Sequence, residues 1–375
     1  MKKLFILIIA IALTLELSAP LCRASAELSP PSLSASSAVL MDFDSALPLH
    51  AHNAHTRMGM ASTTKIMTAL TVLRLMDAGS TVSIPPEAVG IEGSSVYLCA
   101  GERMTVEQLL YALLLSSAND AAVALAVCAC GSVEAFAEQM NAYAYELGLS
   151  DTHFTNPHGL HDEQHYTTAY ELALIAREAL KSEVLRKIFS TYKATIPFDG
   201  KESGRLVVNH NKLLRSYEGA IGIKTGYTKA TGRCLVSAAV RDGMTLICVT
   251  LNAPDDWRDH KALLDFGFEN FERRTVADVG EYCLSMPVVG SDGQSVVLTN
   301  TQPLVLTLPK GADPTVSYRA ESSYRFLYAP TARHNVCGSV VASVDTQSAI
   351  SPLSPECSVM RAQKKSFWQR IFGKD

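Results

Sequence analysis

Residues Ala61-Ser62-Thr63-Thr64-Lys65 open an apolar run that continues from Ile66 to Met76 and contains one charge, Arg74. A run of this kind predicts a helix buried on nearly all sides, with a small hydroxyl residue at its first turn. Ser62 and Lys65 are three positions apart, so on this helix they share a face and can touch. Burial and the positive end of the helix dipole disfavour the ammonium form of Lys65, which can then act as a base toward Ser62.

The same residues also have a structural interpretation, in which Ser62 caps the helix and the Lys65 side chain extends to water. A second Ser-x-x-Lys, at Ser190 to Lys193, has no catalytic residue types around it. The four-residue pattern alone is therefore not specific.

Two downstream motifs favour the catalytic interpretation. Ser117-x-Asn119 is the only Ser-x-Asn in the chain, and it falls at a polar break between two predicted apolar helices. Lys224-Thr225-Gly226 occurs once, on a predicted strand that begins near Gly219.

Composition and charge exclude some function classes. At 375 residues and 47% apolar content the chain can form two domains with a sizeable core. A net charge of −4 and the absence of a basic domain argue against a nucleic-acid partner.

The N-terminal sequence is typical of an export signal. Lys2 and Lys3 precede an apolar stretch that ends at Leu15, and Ala24-Ser25-Ala26 supplies a small-x-small cleavage pattern. We therefore expect a signal peptide over residues 1–26 and a mature protein at the outer face of the cytoplasmic membrane.

Residues 27–272 predict a mixed α/β (α+β) domain, a mostly antiparallel sheet flanked by helices. One early strand, Ala38 to Asp42, is expected to join the later strands, and Asp242-Gly243 is a hairpin signal between two of them. A helix from Asp256 to Asn270 closes this part. Residues 273–362 then lose helical periodicity and predict a small all-β domain.

The tail, residues 363–375, predicts a membrane-surface helix that is too short to span. On a helix its apolar residues share one face and its cations surround that face. These residues are Phe367, Trp368, Ile371 and Phe372, with Lys365, Arg370 and Lys374. The alternative is a solvated basic tail.

No metal or cofactor is expected. His50, His52 and His55 are predicted to lie in an exposed loop, and the cluster of His153, His158, His161 and His165 has the wrong spacing for zinc. Eight of the nine cysteines follow the predicted cleavage site at irregular spacing, which leaves disulfides open. Cys128 and Cys130 are predicted to be small core residues.

The order Ser-x-x-Lys, Ser-x-Asn, Lys-Thr-Gly resembles the penicillin-recognising serine acyl-transferases. Neighbouring segments narrow the resemblance to D-alanyl-D-alanine carboxypeptidases of the low-molecular-mass penicillin-binding class, peptidase family S11, over about residues 36–272. These segments are Ser62 to Leu70, Asn156 to Leu160, His165 to Ala169 and Gly222 to Thr228. The resemblance implies a transpeptidase/β-lactamase-like fold, a peptidoglycan stem peptide ending in D-Ala-D-Ala as substrate, and β-lactams as covalent inhibitors.

The resemblance also implies roles for the reacting residues. Ser62 attacks the substrate carbonyl and Lys65 takes its proton, while Ser117 relays that proton to the leaving nitrogen. Asn119 holds Lys65 and the substrate amide.

The third motif is implied to bind the substrate. Lys224 and Thr225 hold the terminal carboxylate, and Gly226 lets the substrate backbone lie against the strand. The backbone N–H groups of Ser62 and Tyr227 form the oxyanion hole. Arg258 is the nearest candidate for a further carboxylate-binding cation.

Two alternatives remain beside this interpretation. A class A β-lactamase needs a Glu-x-x-Leu-Asn element between the second and third motifs, and the sequence from Asn119 to Lys224 has none. Penicillin is therefore expected to acylate the protein and to leave slowly. The other alternative is a non-catalytic wall-binding or morphogenetic protein whose β domain carries the function.

Overall fold

The computed structural model describes residues 29–198, 201–322 and 324–362. The signal peptide predicted for residues 1–26 and the membrane-surface tail predicted for residues 363–375 lie outside the described residues.

A five-stranded antiparallel sheet forms the centre of the first half of the chain, in the order β2-β1-β9-β8-β7. The strands are β1 (Ser37–Asp42), β2 (Pro48–His52), β7 (Ala220–Thr228), β8 (Gly232–Arg241) and β9 (Met244–Leu251). The early strand joins the later ones as predicted, and Asp242 and Gly243 form the hairpin turn with φ values of 48° and 74°. Strand β7 lies at one edge of the sheet, which leaves its outer edge available to a peptide.

Helices cover both faces of this sheet. They are α1 (Lys65–Leu75), α2 (Val106–Leu115), α3 (Asn119–Cys130), α4 (Val133–Glu146), α5 (Ala169–Lys181), α6 (Glu183–Ser190), α7 (Leu213–Ser216) and α8 (Asp256–Asn270). Successive side chains of β1 enter opposite cores: Val39 and Met41 pack with the central helices, and Leu40 packs with Leu263 of α8. Because both faces are covered, β1 is buried throughout, and its residues from Ala38 to Met41 are all apolar instead of alternating with polar ones.

Shorter strands complete the first half. They are β3 (Thr81–Ser83) paired with β4 (Arg103–Thr105), and β5 (Lys193–Phe198) paired with β6 (Lys201–Val208). No single helix among the described residues is long and apolar enough to cross a membrane. Helices α3 and α4 reach that length and composition only as a pair, and they are bent by 83°.

In the described part of the second half, every regular element is a strand. These are β10 (Phe271–Ala277), β11 (Cys283–Val289), β12 (Ser295–Asn300), β13 (Leu304–Pro309), β14 (Ser317–Glu321), β15 (Leu327–Tyr328), β16 (Gly338–Val344) and β17 (Gln347–Pro355). Leu298, Val340 and Leu353 belong to a separate hydrophobic core. We propose that the predicted boundary at 272/273 corresponds to the start of β10, which begins at Phe271 directly after α8 and pairs with β13 of the second half.

The structure corrects two local predictions. His50 and His52 lie on the edge strand β2, where they pair with Leu40 and Ala38 of β1, and not in a loop. Cys128 and Cys130 are only partly buried, and all eight described cysteines are free. Among the described residues, no group of three His, Cys, Asp or Glu side chains is placed to hold a metal ion.

Candidate active site

Ser62 lies in a tight turn just before α1, not in the first turn of the helix as predicted. Residues Ala61–Thr64 form a 3₁₀ turn, and the Thr63 and Thr64 hydroxyls donate to the carbonyls of Met60 (2.6 Å) and Ala61 (2.7 Å). Ala61 has a φ of 48°, a left-handed conformation that is costly for a residue with a Cβ. The turn therefore holds strain immediately before the serine.

Lys65 is completely buried, and its amine lies among three oxygen atoms. Nζ is 2.9 Å from Ser62 Oγ, 2.7 Å from Asn119 Oδ1 and 2.6 Å from the carbonyl oxygen of His158. The amide and carbonyl oxygens can only accept, so a neutral amine gives both hydrogens to them and turns its lone pair toward the Ser62 hydroxyl.

The electrostatic surroundings favour this neutral amine. Burial and the neighbouring ammonium of Lys224 hold the pKa of Lys65 well below its ordinary value, and Asp120 opposes the shift. The pair thus has the geometry of a nucleophile with its base already in contact.

Asn119, the first residue of α3, connects Lys65 to the loop over the site. Its Nδ2 donates to the carbonyl of Glu92 (2.6 Å), and its backbone N–H donates to the carbonyl of Ser94 (2.7 Å). Between them Gly93 has a φ of 93°, and a Cβ there would lie 2.7 Å from Asn119 Nδ2. The neighbouring Asp120 carboxylate accepts from Ser95 Oγ and from the N–H groups of Val96 and Leu98. The loop is therefore fixed to the start of α3.

Ser117 occupies the break between α2 and α3 that the sequence predicts. Its φ of 57° is left-handed, and its hydroxyl forms no hydrogen bond with the part of the chain that the structure describes. Because Ser117 lines the same cavity as Ser62, this hydroxyl is available to a ligand.

The Lys224-Thr225-Gly226 motif lies on the edge strand β7. Lys224 is buried and donates to the Thr225 carbonyl at 2.9 Å, and burial lowers its pKa to about 7. Thr225 and Tyr227 line the cavity.

Gly226 is required for a reason the sequence does not reveal. A Cβ there would lie 3.0 Å from Ser62 N and 3.1 Å from Met60 O and Thr63 N. The glycine therefore lets the strand approach the backbone of the turn that carries Ser62, in addition to its predicted contact with the substrate.

The turn Asn156 to Leu160 positions Lys65 through its backbone, which residue-type patterns cannot show. Its His158 carbonyl accepts from Lys65, and its Pro157 carbonyl accepts from the Thr68 hydroxyl at 2.6 Å. Gly159 has a φ of 86°, and a Cβ there would lie 1.9 Å from the Ala61 carbonyl oxygen. A backbone contact this close excludes every other residue.

His165 belongs to this support and not to a metal site. Since the Thr64 hydroxyl already donates to Ala61, the Nε2–H of His165 donates to Thr64 Oγ1 at 2.7 Å. Nδ1 accepts from the N–H of Thr155 at 3.1 Å. Burial lowers the pKa of His165 to about 4, which keeps the ring neutral and this tautomer in place.

Ser62, Ser117 and Thr225 open into a cavity of about 360 Å³. It is lined by Ser62, Ser94, Ser117, His210, Lys212, Thr225, Gly226, Tyr227, Arg233, Asp256 and Trp257. Arg258 does not line it; that side chain lies against Asp255 (3.3 Å) and Asp259 (3.6 Å) instead. The guanidinium that lines the cavity belongs to Arg233, whose Nη1 lies 3.9 Å from Asp256 Oδ2. No sequence motif had pointed to Arg233.

Comparisons with known proteins agree with this fold. A family model described as peptidase S11, D-alanyl-D-alanine carboxypeptidase, matches residues 24–255. D-alanyl-D-alanine carboxypeptidase DacF of Bacillus subtilis (strain 168) is 32% identical over 349 residues, which cover 90% of this chain and 89% of the relative. The crystal structure of penicillin-binding protein 5 from Haemophilus influenzae matches at 32% identity with a TM-score of 0.71, covering 89% of this chain and 99% of that one. A peptidoglycan synthesis regulatory factor from Streptococcus pneumoniae, at 24% identity and a TM-score of 0.78, shares the fold over 88% of this chain and 100% of its own.

The architecture is thus that of the penicillin-binding proteins, with the transpeptidase/β-lactamase-like sheet between helices. Within that class, the chain belongs to the peptidase S11 family of D-alanyl-D-alanine carboxypeptidases, which are serine-type enzymes. The family, the mixed α/β fold and the enzyme class predicted from the sequence are confirmed.

Proposed function

We propose that this enzyme removes the terminal D-alanine from peptidoglycan stem peptides through an acyl-enzyme on Ser62. The observation that carries the proposal is the buried Lys65 amine, 2.9 Å from Ser62 Oγ and held by two oxygens that can only accept hydrogen bonds. Removing a lysine amine from water is energetically unfavourable, and a non-catalytic wall-binding protein would gain nothing from it.

In the proposed reaction, Ser62 Oγ bonds to the carbonyl carbon between the two D-alanines while its proton passes to Lys65 Nζ. The C–N bond then breaks, and the proton passes through the Ser117 hydroxyl to the nitrogen of the leaving D-alanine. Water next attacks the ester carbonyl, and the Ser62 oxygen regains a proton. The N–H groups of Ser62 and Tyr227 are proposed to stabilise the oxyanion, and Asn119 is proposed to hold Lys65 and the substrate amide.

We propose that the substrate backbone pairs with the free edge of β7 beside Gly226. Its terminal carboxylate is assigned to the Thr225 hydroxyl and to Arg233, while Lys224 adds positive charge from below the strand. Arg258 has no part in this assignment, because its guanidinium lies at Asp255 and Asp259.

Membership of this family supports an extracytoplasmic location, a D-Ala-D-Ala peptidoglycan substrate and reaction with β-lactams. The export signal over residues 1–26, the outer face of the cytoplasmic membrane and the tail's membrane contact are proposals from the sequence.

A β-lactamase activity is not favoured. Among the described residues, Asp256 is the one carboxylate that lines the cavity, and it lies beside Arg233 and not beside the base. We therefore propose that the described residues lining the cavity provide no carboxylate beside Ser62 that could activate water in a penicillin acyl-enzyme.

Release of D-alanine from a peptide ending in D-Ala-D-Ala tests the proposal. Wild type is expected to release it and Ser62→Ala to release none. Ser190→Ala, in the second Ser-x-x-Lys, is the matched control and should keep full activity. Folded wild type that releases no D-alanine yet pellets with peptidoglycan would favour the wall-binding alternative, and rapid turnover of penicillin would favour a β-lactamase.

A further inference from the structure

The all-β domain carries an aromatic patch that its own core does not use. We define the patch as Tyr324, Phe326, Tyr328 and Val336, which are 55%, 41%, 67% and 63% exposed and line one groove of about 790 Å³. Apolar surface of this kind on a soluble domain usually marks an interaction site.

The patch stands on a fixed backbone. Leu327, between the two exposed rings of Phe326 and Tyr328, is buried in the domain core, and those rings lie 5.2 Å apart edge to face. Strand β15, which carries Tyr328, pairs with β11, and Thr331 forms a bridge with Val359. The rings are therefore displayed by the fold and do not depend on a loose loop.

The chain leaves the described structure beside this patch. The N–H of Ala362 donates to the Gly290 carbonyl (2.8 Å), and the neighbouring Val289 is paired with Tyr328. Arg361 donates through Nε to the Ala329 carbonyl at 3.3 Å. Thirteen residues follow, and they include Phe367 and Trp368 among several lysines.

Charge indicates whether the patch binds the C-terminal tail of this chain or an anionic surface. The segment from Tyr324 to Val336 contains Arg325 and Arg333 and no acidic residue, and Arg361 lies nearby. No described carboxylate is paired with these arginines. The tail is also cationic, so it repels this segment, whereas both are attracted to an anionic surface.

We propose that the aromatic patch is a second membrane contact, which inserts its rings at the headgroup level of an anionic bilayer next to the C-terminal tail. Tyrosine and phenylalanine rings suit that interface, and flanking arginines bind anionic headgroups. Two contacts on one protein make its membrane binding stronger than either alone. The proposal concerns anchoring and does not depend on the catalytic assignment.

Sedimentation of the full chain with vesicles of phosphatidylcholine and phosphatidylglycerol tests it. Phe326→Ser/Tyr328→Ser is expected to weaken partitioning about tenfold, and Arg325→Gln/Arg333→Gln to remove much of its dependence on phosphatidylglycerol. Tyr328→Ser is compared with Tyr145→Ser, an 86% exposed tyrosine of the first half, which should bind as wild type does. The double patch variant should still hydrolyse soluble D-Ala-D-Ala peptide normally.

The tail variant Phe367→Ser/Trp368→Ser distinguishes a patch that binds the membrane from a patch that binds the tail. It should leave residual vesicle binding that disappears when the patch variant is added. Wild-type binding by the patch variant would overturn the proposal. Tighter binding would also overturn it, because the patch would then be holding the tail. Loss of binding to pelleted peptidoglycan instead of vesicles would mean that the occupant is a glycan or peptide.

Discussion

Replacing Gly226 by alanine should slow acylation of Ser62 without weakening the binding of the β-lactam. The new Cβ would lie 3.0 Å from Ser62 N, against about 3.4 Å for an ordinary contact, so the turn must move by about 0.4 Å. A misplacement of 1 Å can cost about 100-fold in rate, and the same scaling predicts a loss of roughly 5- to 10-fold here. Overpacking should also lower the free energy of unfolding by about 1–3 kcal/mol.

Stopped-flow acylation by a chromogenic β-lactam measures the two effects separately. The saturating acylation rate constant should fall while the concentration at half-saturation stays near the wild-type value. Gly293→Ala is the control, because its Cβ would have only ordinary contacts, the nearest at 3.6 Å. An unchanged rate constant with a raised half-saturation concentration would contradict this reasoning and restore the simpler view that Gly226 serves only the substrate backbone.

Three further predictions concern the charges of the site. Asn119→Asp places a carboxylate 2.7 Å from Lys65 Nζ and raises the pKa of that amine. The acid limb of the pH profile of acylation should therefore move to higher pH. A limb that does not move would show that Lys65 is not the base. Arg233→Gln should raise KM for a D-Ala-D-Ala peptide about tenfold, because Arg233 lines the cavity and Arg258 does not, and Arg258→Gln should leave KM unchanged. The reverse result would identify Arg258 as the ligand of the substrate carboxylate. The pKa of Lys224 is about 7 in the folded state and ordinary in the unfolded state, so between these values the unfolded state binds more protons and the free energy of unfolding should rise with pH from about 7 toward 10. Lys224→Met should reduce the slope of that rise by about 1 kcal/mol per pH unit, measured by chemical denaturation. An equally steep rise in the variant would show that Lys224 is not buried in the folded state.

Side-chain periodicity was enough to predict most of the catalytic half. Helix α8 begins at Asp256 and ends at Asn270 as predicted, because its apolar residues repeat at helical spacing and β-strand pairing starts directly after it. Ser62, Ser117 and Thr225 were predicted from three short motifs, and the fold brings them to one cavity.

Contributions made by the backbone could not be predicted in this way. The His158 carbonyl that accepts from Lys65 has no signature in residue type, and neither has the contact between Gly226 and the turn that carries Ser62. The sequence analysis named Arg258 and missed Arg233, because distance along the chain does not show in which direction a side chain points. Arg233 on β8 lines the cavity, whereas Arg258 contacts acidic side chains of its own helix turn. Local sequence patterns can also be overridden by contacts from elsewhere in the fold. Thr168 caps α5 by accepting from the Glu171 N–H, but the Glu171 carboxylate accepts from Asp151 and Thr152 and does not complete a capping box.

Penicillin labelling is the most direct test of whether Ser62 is the residue that becomes acylated. Purified protein is incubated with a labelled penicillin, digested and mapped by mass spectrometry, beside Ser62→Ala and Ser190→Ala. We expect a long-lived adduct on the Ser62 peptide in wild type and Ser190→Ala, and none in Ser62→Ala. An adduct on another residue, or none on folded wild type, would contradict this expectation.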